Sequence, residues 1–256
     1  MLREPASLYL WCTNPGDLLN EPLAQACMTL LSEDERAHWR TFRFDHSRRE
    51  YLATRALVRT ALSNYHPIGS EAWRFRQNSY GKPMVDPDCG LLFNLSNSHE
   101  LVICLISRGT EVGVDLEPYK HAEKIVEIAH EVFSPQEVAQ LEALNESQKL
   151  DRALSLWTLK EAYIKARGVG LSLPLNQISF LFDGAEEIRL ELAPSLRNQP
   201  ERLWQFCLMD LKDHRIALMA ESPAAPSLQF WEAHPLLAPP KQFDVGKQIW
   251  FSALAV

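Results

Sequence analysis

The sequence predicts an α+β fold. Its apolar segments form two mixed blocks of strands and helices, without the regular strand–helix–strand alternation of a doubly wound sheet. Several helix starts carry capping residues, and one long helical segment stops at a glycine. The strand-like runs are short and bounded by turn residues.

The elements follow in order. Residues 7–12 (SLYLWC) read as a first strand. Ser32 with Glu35 forms a capping-box pattern, so a helix should begin near residue 33. Tyr51, Leu52, Ala56, Leu57 and Ala61 recur at helical spacing over 47–64. Asn78 to Pro83 reads as a turn, Phe93–Leu95 and Leu101–Ser107 as strands around a Ser/Asn loop, and Val112–Leu116 as another strand. A helix is predicted over 121–132. Ser134, Pro135 and Glu137 then combine an N-cap, an N1 proline and an N3 acid, predicting a helix over 135–144. The next helix, about 147–167, should end at Gly168. Strands are expected near 177–183, 187–192, 203–210 and 215–220, followed by a Pro- and Ala-rich tail that wraps the surface. The sequence shows no clear internal repeat.

A chain of 256 residues can form one large domain or two of about half that size. A net charge of −7 argues against nucleic-acid binding. No run approaches the roughly 20 apolar residues of a membrane span. The N-terminus lacks the pattern of a secretory signal. Cys12, Cys27, Cys89, Cys104 and Cys207 are scattered and odd in number, which argues against a disulfide framework or zinc site and points to a reducing cytoplasm. Against the acidic average, Arg36, Arg40, Arg43, Arg48, Arg49, Arg55 and Arg59 face only Asp45 and Glu50 over that stretch, a local net of +5. Such a patch suits an anionic ligand; a helix with internal salt bridges is the equal alternative.

Asp115 and Glu117, two apart on a strand, should project to the same face. Paired carboxylates repel unless a proton or cation lies between them, and a hard cation such as Mg2+ suits oxygen donors. Trp157, Glu161 and Lys165 share a helix face, with Lys160 about 100° around from Glu161. A tryptophan on that face draws the carboxylate and ammonium into a partly buried cleft, where such groups are functional candidates. Lys82, in Gly81-Lys82-Pro83, could be aimed at a phosphate from a rigid turn. The loop from Asn94 through Ser96 and Asn97 to His99 concentrates hydrogen-bonding groups suited to an anion, although an ordinary turn would look the same.

Together these segments resemble the 4'-phosphopantetheinyl transferase superfamily. Val112-Gly-Val-Asp115-Leu-Glu117, Phe133-Ser-Pro-Gln-Glu137 and Trp157-x-x-Lys160-Glu161-Ala-x-x-Lys165 are similar in order and spacing to its three signature motifs. Gly81-Lys82-Pro83 and Phe93-Asn94-Leu95-Ser96 resemble two further motifs of the long, pseudo-dimeric (Sfp-type) class, and the likeness spans roughly residues 30–220. It implies two similar α+β subdomains related by a pseudo-twofold, here 1–111 and 112–222 with a tail over 223–256, and a coenzyme A cleft between them. It further implies Mg2+, or Mn2+ in its place, held by Asp115, Glu117 and Glu161. One position departs from the pattern: Asn97 stands where the family commonly has a phosphate-contacting histidine, and His99 follows two residues later.

The function so implied is holo-[carrier-protein] synthase activity. A serine of an apo acyl or peptidyl carrier protein attacks the β-phosphate of coenzyme A and releases adenosine 3',5'-bisphosphate. Serine needs a base and the pyrophosphate needs charge neutralisation. Glu161, Lys165 and Asp115 are the expected catalytic residues, with Glu161 as base. Arg48, Arg49, Lys82, Pro83, Ser96, Asn97, Lys160 and Lys165 are the expected cofactor contacts. Trp157 is expected to pack, and Glu137 to cap its helix. A cytoplasmic monomer is expected, with no nucleic-acid or membrane partner. The alternatives are a homologue that binds coenzyme A or carrier proteins without catalysis, and an unrelated Mg2+-dependent transferase. No Walker-type loop or kinase signature supports the latter.

Overall fold

A strand, helices, a hairpin and two further strands occur in that order twice along the chain. The computed structural model describes residues 5–184, 187–196, 202–233, 239–243 and 250–255. The first round comprises β1 (Ser7–Thr13), α1 (Glu21–Leu30), α2 (Glu33–Thr41), α3 (Asp45–Leu62), β2 (Arg74–Gln77), β3 (Pro83–Asp86), β4 (Leu91–Asn97) and β5 (Val102–Arg108). The second comprises β6 (Val112–Pro118), α4 (Ala122–Glu127), α5 (Ala129–Val132), α6 (Pro135–Glu142), α7 (Glu146–Arg167), β7 (Ile178–Phe182), β8 (Ile188–Leu192), β9 (Arg202–Leu211) and β10 (His214–Glu221). In each round the first strand pairs antiparallel with the last, and the last with the one before it: β1-β5-β4 and β6-β10-β9. The structure is thus α+β with two halves of one topology.

The expected tail is not a surface wrap. β11 (Ser227–Glu232) pairs parallel with β1, β12 (Lys241–Phe243) pairs with β11, and β13 (Phe251–Ala255) pairs with β9, so the segment extends both sheets. Phe230 lies in the core at 4% exposure, and apolar pairing of this kind outweighs the high proline content. Three elements also escape the sequence reading. α1 starts behind Asn20, whose side chain caps Leu23 N, and β2 with β3 form a hairpin around the expected turn. The helix expected over 121–132 is interrupted at Ile128, which leaves α-helical geometry.

The sheets stack face to face, with α3 packed outside one and α7 outside the other. Strand alternation places Val102, Cys104 and Ile106 against the first-half helices, and Ile103 and Leu105 against the second sheet. Val112, Val114 and Leu116 of β6 face the same inter-sheet layer. Both faces of the central strands are therefore buried, which explains the unbroken apolar run of β5.

The halves are also stitched by polar groups. β4 and β6 are edge strands, and the Val114 and Leu116 amides donate to Asn94 Oδ1 at 2.8 Å and Ser96 Oγ at 3.2 Å. Satisfying an otherwise buried sheet edge in this way avoids the cost of unpaired backbone donors. Asn78 Nδ2 donates to the Gly168 carbonyl at 2.7 Å, docking the first-half hairpin on the end of α7. Gly168 holds φ at 63°, the left-handed conformation that closes this helix.

α7 sits unusually close to β6. A Cβ added to Gly113 would lie 2.1 Å from the Ala162 carbonyl oxygen and 2.4 Å from the Ala166 nitrogen. Neither is a flexible side-chain tip, so a substituent must push the whole helix away. Gly113→Ala is expected to lower unfolding free energy by roughly 1–3 kcal/mol, and Gly113→Val by more, measured by urea denaturation. A midpoint unchanged in Gly113→Ala would contradict this packing.

Candidate functional site

With Val112, Val114 and Leu116 turned into the inter-sheet layer, the alternate residues Gly113, Asp115 and Glu117 face α7. The helix meets them with Trp157, Glu161 and Lys165, spaced one turn apart. Lys165 Nζ reaches Asp115 Oδ1 at 2.6 Å and Ser96 Oγ at 3.0 Å. Ser96 Oγ also donates to Asp115 Oδ1 at 3.0 Å. Trp157 Nε1 donates to Glu117 Oε1 at 3.0 Å, and His121 Nδ1 lies 2.8 Å from Glu117 Oε2. Trp157 is therefore more than packing: its indole fixes one of the paired carboxylates.

Two cavities flank this line of side chains. One, of about 650 Å³, is bounded by Ser96, Asn97, Asp115, Glu117, Glu161 and Lys165, with Glu50 and His99 at its first-half side. The other, of about 270 Å³, is more apolar and lies between Tyr80, Gly81, Lys82 and Pro83 and the α7 residues Glu161, Ile164 and Lys165. Glu161 and Lys165 line both.

Negative charge is in excess here. Burial pushes the Asp115 carboxyl above the usual range, the Lys165 ammonium opposes this, and Glu117 adds to it. Burial raises Glu161 as well, reinforced by the charge of Asp115. Asp115 Oδ2 is buried with no hydrogen-bond partner. Among the described residues no three His, Cys, Asp or Glu side chains are grouped closely enough to hold a metal ion as placed. The donor set nonetheless fits a hard cation in chemistry: an orphaned carboxylate oxygen, and Glu161 and Glu117 on the same cavity wall.

The remaining expected contacts divide. Pro83, Ser96 and Asn97 line the cavities, but Asn97 Nδ2 donates to Glu50 Oε1, and His99 Nδ1 meets Glu50 Oε2 at 2.5 Å. In sequence Glu50 is only a charge opposing the arginines; in the fold it holds both candidate phosphate contacts. Lys82 lines the smaller cavity, yet its ammonium already binds Glu111 Oε2 at 3.0 Å, the Ala166 carbonyl at 3.0 Å and the Val112 carbonyl at 3.3 Å. It clamps the hairpin to the second half.

The arginine patch is largely internal pairing. Arg59 is buried on Glu35 at 2.6 Å, Arg55 shares that carboxylate, and Arg36 and Arg40 pair with Glu33. Arg48 donates to the Phe42 carbonyl at 2.9 Å. Arg48 and Arg49 line none of the cavities described. Neither carries a contact to the cleft.

Lys160 is a correction. Its side chain is 0% exposed and faces away from both cavities, into a pair with Glu137 Oε2 at 2.7 Å, with the Leu175 carbonyl at 2.8 Å and the Ile178 carbonyl as further acceptors. A step of one residue along a helix turns the side chain by about 100°, which carries Lys160 off the Glu161 face and into the second-half core. Glu137 performs its expected capping, accepting from Ser134 N at 2.7 Å, and also accepts from Phe180 N at 2.8 Å.

Residues 111–219 match the family model described as the 4'-phosphopantetheinyl transferase superfamily. The chain is 30% identical over 227 residues to the 4'-phosphopantetheinyl transferase HetI of Nostoc sp. (strain PCC 7120 / SAG 25.82 / UTEX 2576), covering 88% of this chain and 91% of that one. It is 31% identical over 184 residues to the 4'-phosphopantetheinyl transferase Sfp of Bacillus subtilis (strain 168), covering 70% and 81% respectively. Among solved structures, a holo-(acyl-carrier-protein) synthase from Bacillus anthracis str. Ames in complex with CoA (3',5'-ADP) aligns with 44% of this chain and 96% of its own, at TM-score 0.38 and 18% identity.

Burial pulls the Lys160 ammonium below the usual lysine range, and only the Glu137 carboxylate opposes that shift. Lys160→Ala should therefore cost about 3–5 kcal/mol of stability by stranding Glu137. The double variant Lys160→Met with Glu137→Gln should recover much of it. Chemical denaturation of both proteins makes the comparison, and a Lys160→Ala protein of wild-type stability would rule out the buried pair.

Proposed function

The chain belongs to the 4'-phosphopantetheinyl transferase superfamily, and from that membership we propose that it moves the phosphopantetheine of coenzyme A to a serine of an apo carrier protein, the holo-[carrier-protein] synthase reaction. The observation that carries the site assignment is the position of Glu161 and Lys165, which line both cavities between the halves. A ligand with a flat heterocycle at one end and a pyrophosphate in its middle would span such a pair of cavities. The smaller, with Tyr80, Pro83 and Leu95 in its walls, takes the adenine end. The larger, with the charged groups, takes the pyrophosphate and admits the carrier serine.

In this reading Glu161 is the general base. Burial raises its carboxyl above the ordinary value and it has no hydrogen-bond partner among the described residues, so it is a stronger base than an exposed glutamate and free to accept a proton. The serine oxygen forms a bond to the β-phosphorus as its proton passes to Glu161. The bond between that phosphorus and the bridging oxygen breaks, and adenosine 3',5'-bisphosphate leaves. Lys165, held at Asp115 and Ser96, stabilises the phosphate charge and protonates the leaving oxygen. Asp115, Glu117 and Glu161 would hold Mg2+, which when bound neutralises the pyrophosphate. Trp157 and His121 keep Glu117 turned toward that position.

Incubation with coenzyme A, Mg2+ and a panel of apo acyl and peptidyl carrier proteins should add a phosphopantetheine mass to at least one. Coenzyme A binding with no mass gain on any carrier would instead favour the non-catalytic homologue. Glu161→Gln should reduce transfer by about a hundredfold or more. The same variant should be more stable than wild type at neutral pH. A carboxyl with a raised folded-state pKa binds its proton more tightly when folded, so its ionisation costs stability at neutral pH. That difference should shrink as the pH falls toward the ordinary carboxyl value of 4.5 and Glu161 takes up its proton. Urea denaturation across pH reads both the sign and the trend.

A further inference from the structure

We propose that His214 is a positioning residue for coenzyme A: it holds the turn between β4 and β5 so that Asn97 and His99 stand correctly on the rim of the larger cavity. The inference rests on the transferase reading above and adds a residue outside the motifs that carry that reading.

His214 opens β10, in the second half, opposite Pro118 of β6. Its side chain is buried at 1% exposure, and Nε2 lies 2.9 Å from Ser98 Oγ, in the first half. Ser98 sits between Asn97 and His99, and all three line the cavity. The turn is tight: Ser98 N donates to the Leu101 carbonyl at 2.8 Å. Ser98 Oγ accepts from Glu100 N at 3.2 Å and Leu101 N at 3.1 Å.

Those two amides fill both lone pairs of the hydroxyl oxygen. The hydroxyl proton then has two acceptors within reach, the Leu101 carbonyl at 3.4 Å and His214 Nε2 at 2.9 Å. The shorter contact assigns it to the ring, with Nε2 as acceptor and the proton of the neutral imidazole on Nδ1. Burial favours the neutral form that this role requires. Nδ1 itself is buried without a partner. An imidazole placed at that cost for one contact is fixing the thing it contacts. What it fixes is a turn whose flanking side chains, Asn97 and His99, both engage Glu50 of α3. The β6–β10 pair thereby sets the position of a first-half rim against the second-half carboxylates.

The test compares His214→Leu, which keeps similar bulk but removes the acceptor, with His214→Gln, which can offer an amide oxygen to Ser98. In wild type and both variants, coenzyme A affinity is measured by calorimetry, transfer by steady-state kinetics, and order of the turn by hydrogen exchange at the Glu100 and Leu101 amides. His214→Leu should weaken coenzyme A binding and raise its KM about five- to tenfold, with kcat within twofold, and should speed exchange at both amides. His214→Gln should return all three readings to within about threefold of wild type. Wild-type affinity, KM and exchange in His214→Leu would overturn the assignment, as would a fall in kcat at unchanged KM or a His214→Gln protein as impaired as His214→Leu. Loss of folding in His214→Leu leaves His214→Gln to decide, since a folded Gln variant with weakened binding and fast exchange also overturns it. Failure of the wild type itself to bind coenzyme A would overturn the transferase reading and this inference together, a result distinct from wild-type binding that the variants share.

Discussion

The close approach of α7 to β6 at Gly113 is the constraint on which the site depends. No side chain separates the strand from the Ala162 and Ala166 region of the helix. The helix therefore lies low enough for Lys165 to reach Asp115 and for Trp157 to reach Glu117. A helix resting on a larger residue would stand away from the strand, and the same side chains would fall short. The small residues in the two motifs, Gly113 and Ala162, thus act through geometry, by letting the charged and polar residues beside them meet.

Two ionic arrangements on the same helix show how one residue's step separates a fully buried pair from a cavity wall. Lys160 and Glu137 form a complete pair, with backbone groups satisfying what the ion pair leaves over. Such a pair can be buried because its desolvation is offset by several short contacts. Asp115, Glu117 and Glu161 instead line one cavity as three carboxylates, with Lys165 paired to Asp115, and burial first, then the neighbouring carboxylate charges, pushes the Asp115 and Glu161 carboxyls upward. Carboxylates grouped in this way are costly to bury unless a cation or a proton lies among them.

The cleft also depends on how the halves are joined. Their sheets share an apolar layer, but the polar stitches fix the register: Asn94 and Ser96 to the edge of β6, Asn78 and Lys82 to the end of α7, and Ser98 to His214. Ser96 serves twice, accepting from a β6 amide and donating to Asp115. A residue that sets the seam between the halves therefore also sets the orientation of the Asp115 carboxylate. This explains why a strand-end Asn/Ser segment, which reads in sequence as a loop for anions, is largely continued strand with its side chains turned to the partner half.

Local signals in the chain determined much of this. Strand alternation put Asp115 and Glu117 on one face, helix periodicity put Trp157, Glu161 and Lys165 on another, and the caps at Ser32, Ser134 and Gly168 fixed three helix ends. The motif spacing brought out the family. Only the tertiary structure decided that Lys160 faces Glu137 and not the cleft, that most of the arginine patch is spent on Glu33 and Glu35, and that Glu50 holds Asn97 and His99. It bore out the two similar halves that the family resemblance implied, and it alone revealed that the final segment adds strands to both sheets. The physical reason is range. Caps and periodicities act over a few residues and leave their mark in a short window of sequence. Strand partners, buried ion pairs and the choice of which face meets a cleft are settled by groups tens to hundreds of residues away, and two halves can share that arrangement without sharing the residues that achieve it.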